Sequence, residues 1–222
     1  MQENLMGEKA FRTYTIKSYS FKEDEILKAI LNLYCNSEYF DLDPTYSIGN
    51  FYKNIHKPRY CSDIKPQLDF VEEMSSDNLR FENNSINSIC FDPPFLIGYG
   101  NCENNKNISA VRFGIFKYYK DLLEYYSNSV KEFNRVLKKD GILAFKTQDY
   151  SVSSNKSYCL HNDVYNICKR FGFEFLDLFV LLSKCRIDNK YLEQRHSRKY
   201  HTYWYVFKNK LKIQGNNDVR TR

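Results

Sequence analysis

The sequence predicts an α/β sandwich around a mainly parallel sheet, and three observations carry that reading. Stretches with a helical apolar period alternate with short apolar runs, and the runs are bounded by turn residues. Of the 222 residues, 42% are apolar and 17% aromatic, enough to bury a core and to exclude a wholly disordered chain. That length suits one domain. The expected division is a loose leader over 1–20, a single folded unit over 21–210 and a basic tail over 211–222.

The elements follow in order. Phe21 to Cys35 reads as a helix, because Ile26, Ile30 and Tyr34 fall four apart with Leu27 and Leu31 alongside. Tyr39 to Asp43 and Arg59 to Asp63 are short strand candidates, and Phe70 to Met74 fits either strand or helix. Ile86 to Phe91 is the clearest strand, set between Glu82-Asn83-Asn84-Ser85 and the pair Pro93-Pro94. Leu96 to Ser109, rich in Gly and Asn, reads as a mobile loop. Tyr118 to Leu137 is a helix with Leu122, Tyr126, Val130, Phe133 and Leu137 on one stripe, stopped by Asp140-Gly141. Ile142 to Phe145 is a strand, Ser151 to Ser157 a polar loop, and Asn162 to Phe171 a helix ending near Gly172. Phe173 to Leu182 and Tyr203 to Phe207 complete the strands.

Composition removes several classes. No apolar run approaches the ~18 residues of a membrane span, and an N-terminus carrying Glu3 and Glu8 lacks the apolar core of a secretion signal. The seven cysteines are odd in number and never spaced C-x-x-C, which argues against a disulfide framework or a zinc cluster. Reduced thiols in a cytoplasmic protein, with no bound metal, are the expectation. The net charge of +6 is uneven: Lys184 to Arg222 holds eleven Lys/Arg against Asp188, Glu193 and Asp218. A polyanion partner suits that region, and so does an ordinary solvated tail.

The chemistry concentrates in Ile89-Cys90-Phe91-Asp92-Pro93-Pro94-Phe95. A strand delivers Asp92 to the carboxyl edge of the sheet, where open α/β folds bind ligands. Two prolines fix the backbone and offer carbonyl acceptors without N–H donors. An aromatic ring follows at once. A planar group bearing an amine suits the set: the ring stacks on its face while carboxylate and carbonyl accept the amine hydrogens.

Asp92-Pro93-Pro94-Phe95 resembles the hallmark of the amino-methyltransferases, enzymes that methylate exocyclic amines of nucleobases with S-adenosyl-L-methionine (AdoMet). The resemblance implies a class I, Rossmann-like methyltransferase sandwich whose C-terminal strand runs antiparallel, filling 21–210. It also implies catalytic roles for Asp92, Pro93, Pro94 and Phe95, with Phe where Tyr is more usual. Asp77 and Asn78 look like the residues that lie near the adenine of AdoMet, and Asp63 is similar to the acid that grips its ribose. Arg135-Val136-Leu137-Lys138 with Gly141 looks like the helix end and turn of the same fold. The family's cofactor loop, aromatic-x-Gly-x-Gly, has a divergent counterpart in Asp41-Leu42-Asp43-Pro44-Thr45-Tyr46-Ser47-Ile48-Gly49. Asp43, Tyr46 and Gly49 are its candidate cofactor contacts. The same stretch echoes the Asp92 motif, so a reading with Asp43 as catalytic carboxylate also stands, though only the later copy has the double proline.

The implied reaction is direct methyl transfer, most simply to adenine N6 of DNA. RNA, tRNA in particular, is the alternative substrate, and a catalytically silent nucleic-acid-binding subunit is a further one. A cytosine-C5 mechanism needs a Pro-Cys nucleophile, and none of the cysteines follows a proline. Lys146, Thr147, Gln148 and Asp149 end a strand on the ligand edge and are candidates to line the pocket. Arg195, Arg198 and Lys199, interleaved with His196, Tyr200 and His201, suit a nucleic-acid backbone. So short a chain leaves target recognition to the 96–116 loop, to the basic region, or to a partner protein or second copy.

Overall fold

Period-two alternation divides the apolar side chains of the central strands between two faces. In the computed structural model, which describes residues 15–95, 97, 116–152, 156–184 and 196–210, both faces are covered. The chain begins with β1 (Tyr19–Ser20), α1 (Glu23–Ile30), β2 (Leu42–Asp43), β3 (Tyr60–Asp63), β4 (Glu72–Glu73) and β5 (Ile86–Phe91). It continues with α2 (Tyr119–Val136), β6 (Leu137–Thr147), β7 (Tyr150–Val152), β8 (Lys156–Tyr158), α3 (Leu160–Arg170), β9 (Phe173–Leu182) and β10 (His201–Asn209).

The main sheet has eight strands in the order β1-β9-β10-β6-β5-β2-β3-β4. β10 is antiparallel to both β6 and β9, and every other pairing in this sheet is parallel. Ile89, Phe91, Leu143, Phe145, Tyr205 and Phe207 face α2 and α3. Cys90, Ala144, Trp204 and Val206 face the opposite way, onto Ile26, Leu27 and Ile30 of α1. Sheets buried on both faces need such two-sided apolar strands. Among the described residues no helix is long and apolar enough to cross a membrane.

Polar clamps fix the helices to the sheet. Arg135, near the end of α2, donates to the Leu79 and Phe81 carbonyls and to Asn83, so the segment entering β5 hangs from that helix. Asn209 donates to the carbonyls of Asn134 and Leu137 and accepts from Asn134 Nδ2. This buried amide pair ties β10 to the junction of α2 and β6.

Several expectations change. The first helix loosens into a π turn over Leu31–Cys35 and ends at Asn36, whose φ of 48° is one that Asn tolerates. α2 stops at Val136, before the expected Asp140-Gly141. That dipeptide closes a bulge in β6 instead: Leu137 pairs with Ile86 and Ile142 with Ser88, while Asp140 takes φ +63°. The Ser151–Ser157 loop contains part of a hairpin, with Tyr150 opposite Tyr158. The end of the leader is not loose, because Tyr19 and Ser20 pair with Val180 and Leu181. Residues 1–14, the 98–115 part of the expected loop and the 211–222 tail lie outside the described residues.

Candidate active site

The parallel strands deliver Asp43, Asp63, Glu73, Asp92 and Thr147 to one edge of the sheet, since these residues end or directly follow β2, β3, β4, β5 and β6. β10 runs the other way, so its first residues, His201 and Thr202, arrive at the same edge. Among the described residues, six buried side-chain polar atoms lack a hydrogen-bond partner. Four gather here: Ser47 Oγ, Asp92 Oδ1, Thr147 Oγ1 and Thr202 Oγ1. Orphaned buried polar atoms are rare and call for an explanation. A ligand whose own polar groups complete them is one.

Asp92 is the centre of the edge. Its N–H donates to Thr45 Oγ1 at 3.0 Å, which locks the residue against the loop after β2. Lys146 Nζ lies 3.5 Å from Asp92 Oδ2 and 2.6 Å from Glu23 Oε1, above the Phe51 ring. Glu23 is held in turn by Trp204 Nε1 at 3.1 Å. Burial pushes the Asp92 carboxyl up, Lys146 draws it down and Glu23 pushes it up again, leaving it at about 6. Burial raising it and a lysine drawing it down together make this carboxyl a candidate proton acceptor. Pro94 O accepts from Tyr126 Oη at 3.0 Å, and Pro93, directly after Asp92, is buried. Phe95 is half-buried against the core under α2.

The loop after β2 is folded by its own acid. Asp43 is buried, and its carboxylate accepts from Thr45 N at 2.8 Å, Thr45 Oγ1 at 3.1 Å and Tyr52 Oη at 2.7 Å. Burial raises it to about 7 against the pull of those bonds. With both oxygens engaged, Asp43 shapes the loop from beneath, and the echo of the Asp92 motif is structural. An aromatic-x-Gly-x-Gly pattern ending at Gly49 would set its first glycine at Ser47. Ser47 has φ +52° and Gly49 φ +68°, so the backbone keeps glycine-like geometry at both positions. Tyr46 stacks on Tyr52 at 5.4 Å and closes over Gly49, where a Cβ would come 2.3 Å from the Tyr46 hydroxyl.

The remaining candidates spread along the edge. Asp63 accepts from Ser47 N at 3.0 Å and Lys65 N at 2.8 Å, tying the loop to the end of β3. Asp77 is exposed and accepts from the Ser75 hydroxyl. Asn78 lines a cleft of about 270 Å³ with Ile64, Glu73, Met74, Ser75 and Arg80. A groove of about 520 Å³ beside α1, lined by residues such as Lys28, Lys53 and His56, shares none of the site residues. The segment joining β9 to β10 carries Arg198 and Lys199 to the same edge, with Lys199 Nζ 3.3 Å from Ser197 Oγ. Arg195 lies outside the described residues.

Solved structures share this fold. A candidate sarcosine dimethylglycine methyltransferase from Galdieria sulphuraria matches 86% of this chain and 86% of its own, at 14% identity and a TM-score of 0.51. The fold is that of the class I methyltransferases. Two other structures of that fold match less closely. TrmN from Thermus thermophilus covers 85% of this chain and 49% of its own at 15% identity, with a TM-score of 0.46. A candidate DNA modification methylase, also from Thermus thermophilus and complexed with S-adenosyl-L-methionine, covers 62% and 53% at 17% identity, with a TM-score of 0.41. The chain thus spans about half the length of the DNA modification methylase structures it matches. No protein-family model and no curated protein matches it.

Within the class I methyltransferase frame, sequence reasoning missed two supports of Asp92. Glu23 sits in an ordinary acidic helix start, and only its packing on Trp204 reveals it beneath the site. Tyr126 reads as one member of an apolar stripe, while its hydroxyl occupies the Pro94 carbonyl. A lysine breaking an apolar strand was the signal for Lys146: a buried cation implies a buried carboxylate.

Proposed function

We propose that the chain is an AdoMet-dependent amino-methyltransferase acting on a nucleobase of DNA, with adenine N6 as the amine. The observation that carries this reading is Asp92 Oδ1, a buried carboxylate oxygen without a partner, on the residue directly followed by Pro93 and Pro94. A free carboxylate oxygen at the end of β5, with the Pro93 carbonyl next in the chain as second acceptor, suits an NH2 group, which has two hydrogens to donate.

The residues at hand fit the cofactor. The left-handed backbone at Ser47 and Gly49 keeps the loop on a glycine-like path, and Ser47 Oγ offers an unused polar atom. Asp63, Asp77 and Asn78 follow at the ends of β3 and β4, where a ribose and an adenine would be held. When bound, AdoMet supplies an electrophilic methyl group on a sulfonium.

The chain's residues prepare the nucleophile. An aromatic amine is a poor one, because its lone pair is delocalised into the ring. Hydrogen bonds from its N–H groups to Asp92 Oδ1 and the Pro93 carbonyl favour a pyramidal nitrogen and localise that pair. The same acceptors stabilise the positive charge that develops on nitrogen, an interaction strongest in the transition state. As the nitrogen gains carbon it loses one proton, and a carboxylate near 6 is suited to accept it. Phe95 gives the base a face to stack on, which offsets part of the cost of unstacking it, about a few kcal/mol. Arg198 and Lys199 on the same edge suit the phosphates.

The test is incubation of the full chain with labelled AdoMet and mixed DNA and tRNA, followed by mass spectrometry of the nucleosides. N6-methyladenine from DNA is expected, and Asp92→Ala should abolish transfer while AdoMet binding persists. Label in tRNA alone would turn the substrate assignment to RNA. Binding of AdoMet with no transfer to either polymer would turn it to a silent subunit.

A further inference from the structure

Hairpin β7–β8 begins just after Asp149 and ends just before Cys159. Pairing of Tyr150 with Tyr158 brings those flanking residues side by side, although ten positions separate them in the chain. His161, in the first turn of α3, turns back onto both. Its Nδ1 lies 2.7 Å from Asp149 Oδ1, and Cys159 Sγ is 3.6 Å from Nδ1 and 3.7 Å from Nε2. One ligand atom from each residue falls within 4.8 Å of the others. Asp149 Oδ1 also accepts the His161 N–H at 3.3 Å, which steadies the base of the cluster.

We propose that the base of this hairpin is a binding site for one borderline-soft divalent cation, zinc by its chemistry, held by Asp149, Cys159 and His161. Atoms bonded at about 2.0–2.3 Å to a tetrahedral ion stand roughly 3.3–3.7 Å apart. With Nδ1 as the ligating nitrogen, its 3.6 Å separation from Cys159 Sγ already has that value, and the carboxylate oxygen closes in from within 4.8 Å of the sulfur. The oxygen–nitrogen contact is a hydrogen bond, and it opens by about half an ångström when a metal replaces the shared proton. Binding releases the Cys159 thiol proton, and the single N–H proton of the neutral imidazole moves to Nε2 as Nδ1 takes the metal, so the site holds the ion as thiolate, imidazole and carboxylate. This donor set suits zinc and disfavours magnesium or calcium, which take oxygen ligands. Three protein ligands leave a fourth position open, as in zinc sites that hold water or substrate.

The surroundings agree. Cys159 is exposed, which leaves a way in, while Tyr203 backs the imidazole at 4.8 Å and is fixed by His201 at 2.9 Å. Tyr150 Oη donates to Ile97 O at 2.8 Å, so the hairpin is pinned to the chain just beyond Phe95. An ion here staples the hairpin to α3 on the ligand edge. The C-x-x-C spacing sought in the sequence does not describe it, because the third ligand comes from across a hairpin.

Purified full chain stripped with a chelator would be titrated with zinc against a chromophoric chelator, and separately with cobalt alone. One zinc equivalent per chain and a thiolate-to-cobalt absorption band are expected. Cys159→Ser and His161→Gln, each checked for a wild-type circular dichroism spectrum, should lose that equivalent, and Cys185→Ser should keep it. The proposal is overturned if the wild type holds no zinc against the chelator. It is equally overturned if cobalt gives no thiolate band, or if Cys159→Ser binds zinc as tightly as the wild type.

Discussion

Lys146 Nζ stands 3.5 Å from Oδ2 of Asp92 and leaves Oδ1 of the same carboxylate buried without a partner. The ammonium thereby does two things at once: it draws the acid's pKa down against burial and it engages one oxygen while the other stays unpaired. Trp204 and Phe51 pack around the lysine, and Glu23 balances its charge.

Removing that cation should change a pH profile before it changes the fold. Lys146 draws the Asp92 carboxyl down, so Lys146→Met lets it rise further above about 6. The acid limb of kcat/KM should then move up by about one to three units, with Lys146→Arg restoring much of the wild-type profile. An unmoved limb in Lys146→Met would detach the lysine from Asp92's titration.

Asp43 should leave a signature in stability rather than rate. Burial holds its carboxyl up at about 7, well above the ordinary carboxylate range. Between that range and pH 7 the folded chain keeps a proton that the unfolded chain has released. The contribution of this group is therefore full at low pH and is lost as pH rises through about 7. Urea unfolding at pH 5 and pH 8 should show the wild type losing more stability over this window than Asp43→Asn does.

Gly49→Ala meets two obstacles, a φ of +68° and the Tyr46 hydroxyl 2.3 Å from the new Cβ. The left-handed backbone alone costs about 1–2 kcal/mol for a residue with a Cβ. A lower urea midpoint is expected, together with a loss of AdoMet affinity in calorimetric titration. Ser47→Gly should retain both, because that position already follows a glycine path.

Charge removal on the β9–β10 segment should appear in salt dependence. With Arg195, Arg198 and Lys199 all changed to alanine, the slope of log affinity for duplex DNA against log salt should flatten by about 0.9 for each phosphate no longer neutralised. The same slope in variant and wild type would mean that this segment does not touch the backbone.

Where a local pattern dictates local structure, the sequence suffices. Ile86–Phe91 and Phe173–Leu182 are legible to the residue, because turn residues bound them and apolar residues dominate their buried positions. Asp92 can be set at the sheet edge, because two prolines cannot continue a central strand. The hairpin at Tyr150–Tyr158 is not legible: its strands are three residues each and largely polar, so no periodicity marks them. β4, two exposed glutamates, falls within Phe70 to Met74, where the sequence allows strand and helix alike and only the pairing with β3 decides. Asp140-Gly141 misleads because a turn dipeptide ends a helix and closes a bulge with the same backbone, and only the pairing with β5 selects between them.

From composition, order and motif come the layered α/β architecture and the carboxylate at the mouth of β5. These depend on contacts between near neighbours in the chain. Asp92 is fixed by Lys146 of β6, by Glu23 of α1 acting through that lysine and by Thr45 of the loop after β2, and the thiol, imidazole and second carboxylate meet across a hairpin. Such meetings follow from which strands lie side by side and in what register. No local pattern encodes that choice, because it is settled by the joint burial of both sheet faces.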